Sequence, residues 1–505
     1  MRTRDADERA RRRAVAREVD VEMNKGSALL LLSYVAPLVS AYAVFMFTSR
    51  VLSTSEFADF GLVNAGVAMA NAVIAGGTIQ AISRRVAGTA TGHVARFRRA
   101  AVARQLGLSL VIGVVLAALS PLFARALGDT GLTVPFAVAA AIPAVYALLA
   151  VQQGALNGTG RLAAQGTLNL IVSTSRLLLV VGAVWFGFGV IGALVAIALA
   201  AALTFAASWL APVDDVPSGS TAPSRPQVPR GATGRVRLKN DLPLFVVAQV
   251  LLQILLAADL FLLKAHVEIA TSALIALYVA AQTVARIPYG LLLGVPQLAF
   301  STSARERTTS SALAQSTGRT FALVTGLLAL VLAIAIPLRE PLLLVVYPES
   351  FRGASAFLAL LLAGAGALAV GDIAQSMVSG ARGPTSSVVV LAVAVVVEIM
   401  AALFLVPREG AMGAALASCI GASVLALAAS IVFFARIRPD VPWAIVGTGL
   451  VLGAGSALAS SLFATTEPTP LSAVAGAGAL ALVTGALFAL SVRADLGESK
   501  PRASK

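Results

Sequence analysis

The chain has 505 residues, of which 58% are hydrophobic and only 12% charged, with a mean hydropathy of +0.88. Soluble domains carry about 25% charged residues and divide well before this much apolar surface accumulates, so a water-soluble globule is excluded and the bilayer is the solvent for most of the chain. The formal net charge of +14 falls between the apolar runs, which makes it a matter of membrane topology rather than of nucleic-acid binding.

Aromatic residues make up 6% and glycines number 43, a balance suited to helices packed through small residues rather than to a β-barrel with aromatic girdles. The fold class expected is all-α and polytopic. A single cysteine, Cys419, cannot support a disulfide framework or a cysteine zinc site. The two histidines, His93 and His266, stand alone in polar connections. No metal or cofactor is expected.

Residues 1–26 form a basic tail, too long and too polar for the leading region of an ordinary signal peptide. At about 20 apolar residues per crossing, the rest holds about fourteen spans. Six make an N-terminal lobe over residues 27–210, centred near Ser40, Ala70, Val111, Ala141, Arg176 and Ala198. Residues 211–240 contain Pro212, Pro217, Pro223, Pro226 and Pro229 with no apolar period, and read as a cytoplasmic linker. A C-terminal lobe over 241–436 follows, with spans centred near Leu252, Thr283, Leu328, Gly366, Ala394 and Leu416. Two further helices lie in 437–492, near Val451 and Gly478, before a tail at 493–505. The weakest boundaries fall near Gly187 and over residues 401–410, where the connections are short.

Alternate loops differ sharply in charge. One set holds about 29 Lys and Arg; the other holds about 6, namely Arg50, Arg125, Lys264, Arg339, Arg352 and Arg408. The positive-inside rule then places both termini in the cytoplasm and the protein in a bacterial cytoplasmic membrane. The halves also resemble each other. LNGTGR at 156–161 matches VSGARG at 378–383, and GFGVIGALVA at 187–196 matches REGAMGAALA at 408–417. Both matches share an offset of about 220 residues, which suggests a duplication giving two pseudo-symmetric six-helix lobes, a transporter pattern.

No G-x-x-x-x-G-K-[ST] loop occurs, and no Ser/His/Asp or Cys/His set can be assembled, so the chain is not expected to be an enzyme. What remains are polar residues inside spans, where an ionisable group is costly and function is the default hypothesis. Arg176 and Arg286 each lie near the middle of a span, one in each half. A guanidinium binds phosphate oxygens in a fork, so both are candidate ligands for a diphosphate headgroup; the alternative is pairing with a membrane carboxylate, such as Arg286 with Asp259 or Asp372. Gln282 shares a helical face with Arg286, and Gln249 with Gln253, which adds these three to the candidate substrate-binding set. Asp259, Asp372 and Glu398 are candidates for ion coupling. The sequence Arg286-Ile287-Pro288 sets a kink beside a charge.

Three stretches carry a family likeness. The first is FTSRVLSTSEFADFG at 47–61 with GTIQAISR at 77–84; the second is the LNGTGR loop with its following Gly-x-x-Gly; the third is Tyr-x-x-Ala-x-x-x-x-Arg-Ile-Pro from Tyr278. With these the chain resembles the multidrug/oligosaccharidyl-lipid/polysaccharide exporter (MOP) superfamily, in its polysaccharide-export, O-antigen flippase-like branch. The resemblance implies two six-helix lobes around a cavity that opens alternately to each side. It also implies movement of an undecaprenyl-diphosphate-linked oligosaccharide for surface polysaccharide synthesis. The partners implied are that lipid-linked oligosaccharide, membrane lipids and polysaccharide polymerases or glycosyltransferases, with no nucleic acid and a monomeric protein. A cation-coupled multidrug or small-solute antiporter and a non-transporting scaffold for polysaccharide enzymes are the competing readings.

Overall fold

The computed structural model describes residues 35–87, 93–159, 161–210, 238–266, 272–292, 295–296, 299–300, 302–303, 310–466 and 469–498. The expected N-terminal tail, nearly all of the Pro-rich linker and the last residues of the C-terminal tail lie outside them. Thirteen helices among the described residues are long and apolar enough to cross a membrane, and a shorter apolar helix, Val35–Val51, precedes them. Each of the fourteen expected span centres falls within one of these.

We number the helices by span: α1 (Val35–Val51), α2 (Thr54–Ala87), α3 (Val94–Ala126), α4 (Ala141–Gly158), α5 (Leu162–Trp185), α6 (Gly189–Ala207), α7 (Leu238–His266), α8 (Ser272–Ala285, resuming as Ile287–Leu291), α9 (Ser310–Ala335), α10 (Ser355–Arg382), α11 (Thr385–Glu409), α12 (Ala411–Ile437), α13 (Trp443–Thr466) and α14 (Pro470–Glu498). The helix ends follow local chemistry. Ser53 and Glu56 form a reciprocal capping box at the start of α2: the Glu56 amide donates to Ser53 Oγ at 3.3 Å and the Ser53 amide to Glu56 Oε2 at 3.0 Å. The two weak boundaries are real breaks. α5 ends before Gly187, and α11 ends at Gly410, whose φ of +56° suits a residue without a Cβ. α14 runs on to Glu498, past the expected start of the tail at 493.

The chain divides into two compact units that do not follow the simple halves. The first comprises Met1–Val44, Ile74–Ala118 and Ala137–Val228. The second comprises Phe45–Val73, Leu119–Phe136 and Pro229–Lys505. In the second unit, the end of α1 and the start of α2 pack with C-terminal elements. Phe57 contacts Tyr347 and Phe351, and a Cβ on Gly61 would collide with Val279. Lys264 pairs with Asp129 at 2.8 Å in the same unit. Asp129 also accepts from the Gly131 amide at 3.0 Å. The Lys264 hydrogen bond, helped by the ammonium charge and the Gly131 amide, holds the Asp129 carboxyl below its ordinary range.

Within the bilayer there is no hydrophobic drive between apolar helices, so close approach must come from small residues. Gly364 and Gly371 of α10 lie against the backbone of α12 at Cys419 and Ala426. Gly326 of α9 meets Gly449 of α13, which fixes the extra C-terminal pair to α9. The repeated loop glycines do matching work. A Cβ on Gly158 would strike the Ser83 carbonyl at the end of α2, and one on Gly380 would strike the Phe300 carbonyl. Each copy of this glycine thus lies against a neighbouring backbone carbonyl where a Cβ would not fit.

Candidate functional site

The strongest concentration of buried polar groups lies in the second unit, on α7, α8, α11 and α12. Asp259 of α7 is 1% exposed and accepts on both carboxylate oxygens. Tyr278 Oη donates to Oδ2 at 2.7 Å, Gln282 Nε2 reaches both oxygens at 3.0 Å, and the Leu260 amide donates to Oδ1 at 2.8 Å. Tyr278, Gln282 and Arg286 are spaced by four on α8, so one face of that helix presents all three.

Glu398 of α11 is equally buried, at 1% exposed, and neither of its carboxylate oxygens has a hydrogen-bond partner among the described residues. It lies near enough for Asp259 and Arg286 to act on it electrostatically. Gly421 of α12 leaves it room: a Cβ there would stand 2.6 Å from Glu398 Cβ and 2.9 Å from Oε2. An ionised carboxylate buried without a donor is too costly to persist alone, so this site calls for a proton or a cation.

Arg286 occupies a break in α8. Pro288 has no amide hydrogen and cannot continue the ladder, so the helix ends at Ala285 and restarts at Ile287. The Gly290 amide donates to the Arg286 carbonyl at 2.8 Å and carries the chain through the kink. The guanidinium donates to the Leu256 carbonyl of α7. Among the described residues it forms no ion pair, with Asp259, Asp372 or any other carboxylate. A cavity of about 30 Å³ is lined by Asp259, Gln282, Arg286, Gly364, Ser418 and Ala422. That is room for about two waters or one ion. Ligand pockets for drug-sized molecules are about tenfold larger, so this space is not one for a sugar diphosphate.

A second carboxylate site lies further along α8. Asp372 of α10 is 7% exposed and accepts from Tyr289 Oη at 3.1 Å and from Gln375 Nε2 at 3.0 Å. Gln249 and Gln253 are half-buried on α7, on a different face from Asp259, and are not among the donors to any of the three carboxylates. Gln282, expected beside a substrate, is instead committed to Asp259.

Arg176 belongs to the first unit. Its guanidinium donates to the Pro37 carbonyl of α1 at 2.9 Å and lies beside Tyr146 of α4. His93 and His266 are exposed, as expected for loop residues. Residue-by-residue reading of the sequence missed Tyr278, Tyr289 and Gly421 as site residues. The four-residue spacing of Tyr278, Gln282 and Arg286 was the available signal for the first; nothing local marks the other two.

These features define a multi-pass helical membrane protein with buried carboxylates at bilayer depth. No protein-family model matches the chain, and no curated protein matches it. Solved structures do. An inward-facing multidrug resistance MATE family transporter of the MOP superfamily is similar with a TM-score of 0.63 and 18% identity, covering 80% of this chain and 94% of that one. The lipid II flippase MurJ, in an inward closed conformation, is similar with a TM-score of 0.66 and 13% identity, covering 92% and 99%. A MOP superfamily transporter from Pyrococcus furiosus, whose description notes a reverse polarity of the binding pocket, has a TM-score of 0.60 and 19% identity over 82% and 94%. The chain therefore has the fold of the MOP superfamily transporters.

Proposed function

We propose that the protein is an ion-coupled carrier of the bacterial cytoplasmic membrane that moves a lipid-linked oligosaccharide between leaflets by alternating access. Coupling resides at Asp259 and Glu398. The observation that carries this is the contrast between two neighbouring carboxylates: among the described residues, Asp259 has a donor on each oxygen and Glu398 has none. A buried acid left open in this way suits an exchangeable proton or cation. The cavity of about 30 Å³ lined by Asp259, Gln282 and Arg286 fits an ion and excludes the cargo itself. The lipid-linked cargo is supported by the sequence resemblance and by fold similarity to a lipid II flippase over 92% of the chain.

Purified protein in proteoliposomes, given a fluorescent undecaprenyl-diphosphate oligosaccharide and an imposed proton or sodium gradient, tests both parts. Wild type is expected to flip the lipid faster with a gradient, and Glu398→Gln to lose that gradient dependence. Glu398→Gln responding to the gradient as wild type does would refute the coupling site. The buried carboxylates also favour a second reading, antiport of a small cationic solute. It becomes the better one if a cationic dye is transported with the gradient and the lipid is not.

A further inference from the structure

Helix α3 is long for a single membrane crossing. It has 33 residues. At 1.5 Å per residue these rise about 50 Å, against a hydrocarbon core about 30 Å thick, so several turns stand outside the core. Arg96, Arg99 and Arg104 fall within its first three turns, and all are exposed. Among the described residues none of them has an ion-pair partner, and the first turn holds no acidic residue. Cations there meet the positive end of the helix macrodipole, an arrangement that an external anion would offset.

Arg98 faces another way. It is 8% exposed, and its guanidinium lies 4.7 Å from the ring centre of Trp209, in the short turn Ser208–Leu210 that follows α6. This contact sets the start of α3 beside the end of α6. Trp209 and Leu210 are themselves exposed. An exposed indole level with a group of arginines marks the headgroup depth of a bilayer.

The outward face of α3 changes character along its axis. Arg96, Arg99, Ala103, Leu106, Leu110 and Val114 are spaced by three or four, so they form one stripe, and every one of them is exposed. By the helical rise, Leu106 and Leu110 stand about 10 and 16 Å beyond Arg99, which is the depth of one leaflet. Helical side chains lean toward the N-terminus, so the arginines lean toward the polar interface. Two cations at one end, then an apolar run of leaflet length, match the charge and the length of a phospholipid with an anionic head.

We infer that this stripe of α3 is a binding site for an anionic phospholipid of the leaflet that borders the start of α3. Arg96 and Arg99 hold the phosphate, and an acyl chain lies along Leu106 and Leu110. Arg104, about a quarter turn round the helix, adds to the positive field at the headgroup. The inference is independent of the carrier reading. The competing occupant is the chain's own acidic pair Asp214 and Asp215, which follows Leu210 closely in sequence and lies outside the described residues.

The test places a reporter on the stripe. Full-length protein carrying Trp185→Phe, Trp209→Phe, Trp443→Phe and Leu106→Trp has a single tryptophan at leaflet depth. It is reconstituted into vesicles of phosphatidylcholine with increasing phosphatidylglycerol, one of the two lipids bearing brominated acyl chains, and quenching gives their relative affinity at the stripe. Phosphatidylglycerol should be preferred roughly tenfold. Each arginine near an anionic surface contributes about a factor of five, so Arg99→Gln should cut the preference about fivefold, and Arg96→Gln with Arg99→Gln should bring it close to one. Asp214→Asn with Asp215→Asn should leave it unchanged. If the arginine variants do not reconstitute, salt decides with the arginines intact: the preference should shrink several-fold between about 0.05 M and 1 M. No preference with the arginines intact, a preference that survives the arginine variants or high salt, or one that emerges only when Asp214 and Asp215 are neutralised overturns the inference; the last result makes the acidic pair the occupant.

Discussion

Replacing Asp259 by Asn should destabilise the protein far more than replacing Glu398 by Gln, although both changes turn a buried acid into its amide. Asp259 receives bonds on both oxygens from Leu260, Tyr278 and Gln282. An amide offers one accepting oxygen and sets its own N–H groups against at least one of those donors. One buried donor left unmet costs about 1–3 kcal/mol. At about 2–4 °C per kcal/mol for a unit of this size, the melting midpoint should fall by roughly 5 °C. Among the described residues Glu398 accepts no bond on either oxygen, so its amide loses none, and a shift within about 1–2 °C is expected. Thermal melts of the full chain in one detergent, followed by intrinsic fluorescence, compare the two directly. Equal losses, or an Asp259→Asn protein as stable as wild type, would refute the claim that the donors around Asp259 distinguish the two acids.

Three further outcomes follow from the geometry. The Asp129 carboxyl is held below its ordinary range by Lys264, so that the pair's contribution is complete above about pH 4 and is lost as the pH falls below it. The partners are partly exposed, at 13% and 35%, so the contribution is below about 1 kcal/mol. The stability gap between wild type and Lys264→Met should therefore be small and flat from pH 7 to pH 5, and should close in stronger acid. Gly158→Ala and Gly380→Ala should each cost about 1–3 kcal/mol of stability through overpacking against a backbone carbonyl and so lower the melting midpoint, whereas Gly383→Ala should fail only through its φ of +94°. Gly421→Ala should press on Glu398 and slow gradient-driven transport with the fold retained, which circular dichroism and the flipping assay would report together.

The spans were legible because bilayer thickness imposes one length on every apolar run, and all fourteen centres were found in that way. The breaks at Gly187 and Gly410 were legible from glycine in short connections. The kink at Arg286 was legible from Pro288. What the chain order concealed is which segments pack together. Phe45–Val73 and Leu119–Phe136 are sequence neighbours of first-unit helices, yet they pack with the C-terminal helices. Periodicity is local and carries no information on that choice. The same blindness affected the site. Gln282 and Arg286 were correctly set on one helical face, but their partners, Asp259 on α7 and the Leu256 carbonyl, come from another helix. The absence of a donor to Glu398 among the described residues is a property of three-dimensional neighbours and has no signature in a linear pattern.

The placement of Arg286 constrains how the carboxylate site can work. A guanidinium forked onto Asp259 or Glu398 would be a permanent counter-ion, and an exchangeable cation would have nothing left to neutralise. Arg286 is instead tied to the Leu256 carbonyl, while still acting electrostatically on Glu398. It moderates the negative charge of the site without occupying it. The tether lies at the break created by Pro288, where α8 is interrupted between Ala285 and Ile287. On the proposed ion-coupled reading, ion release and movement of Arg286 onto Glu398 are then alternatives for the same charge. Arg286→Lys, which keeps the charge and loses the fork, should therefore bind the coupling ion more tightly and release it more slowly than wild type. Ion-exchange rates in proteoliposomes measure this, and an unchanged release rate would remove Arg286 from the cycle.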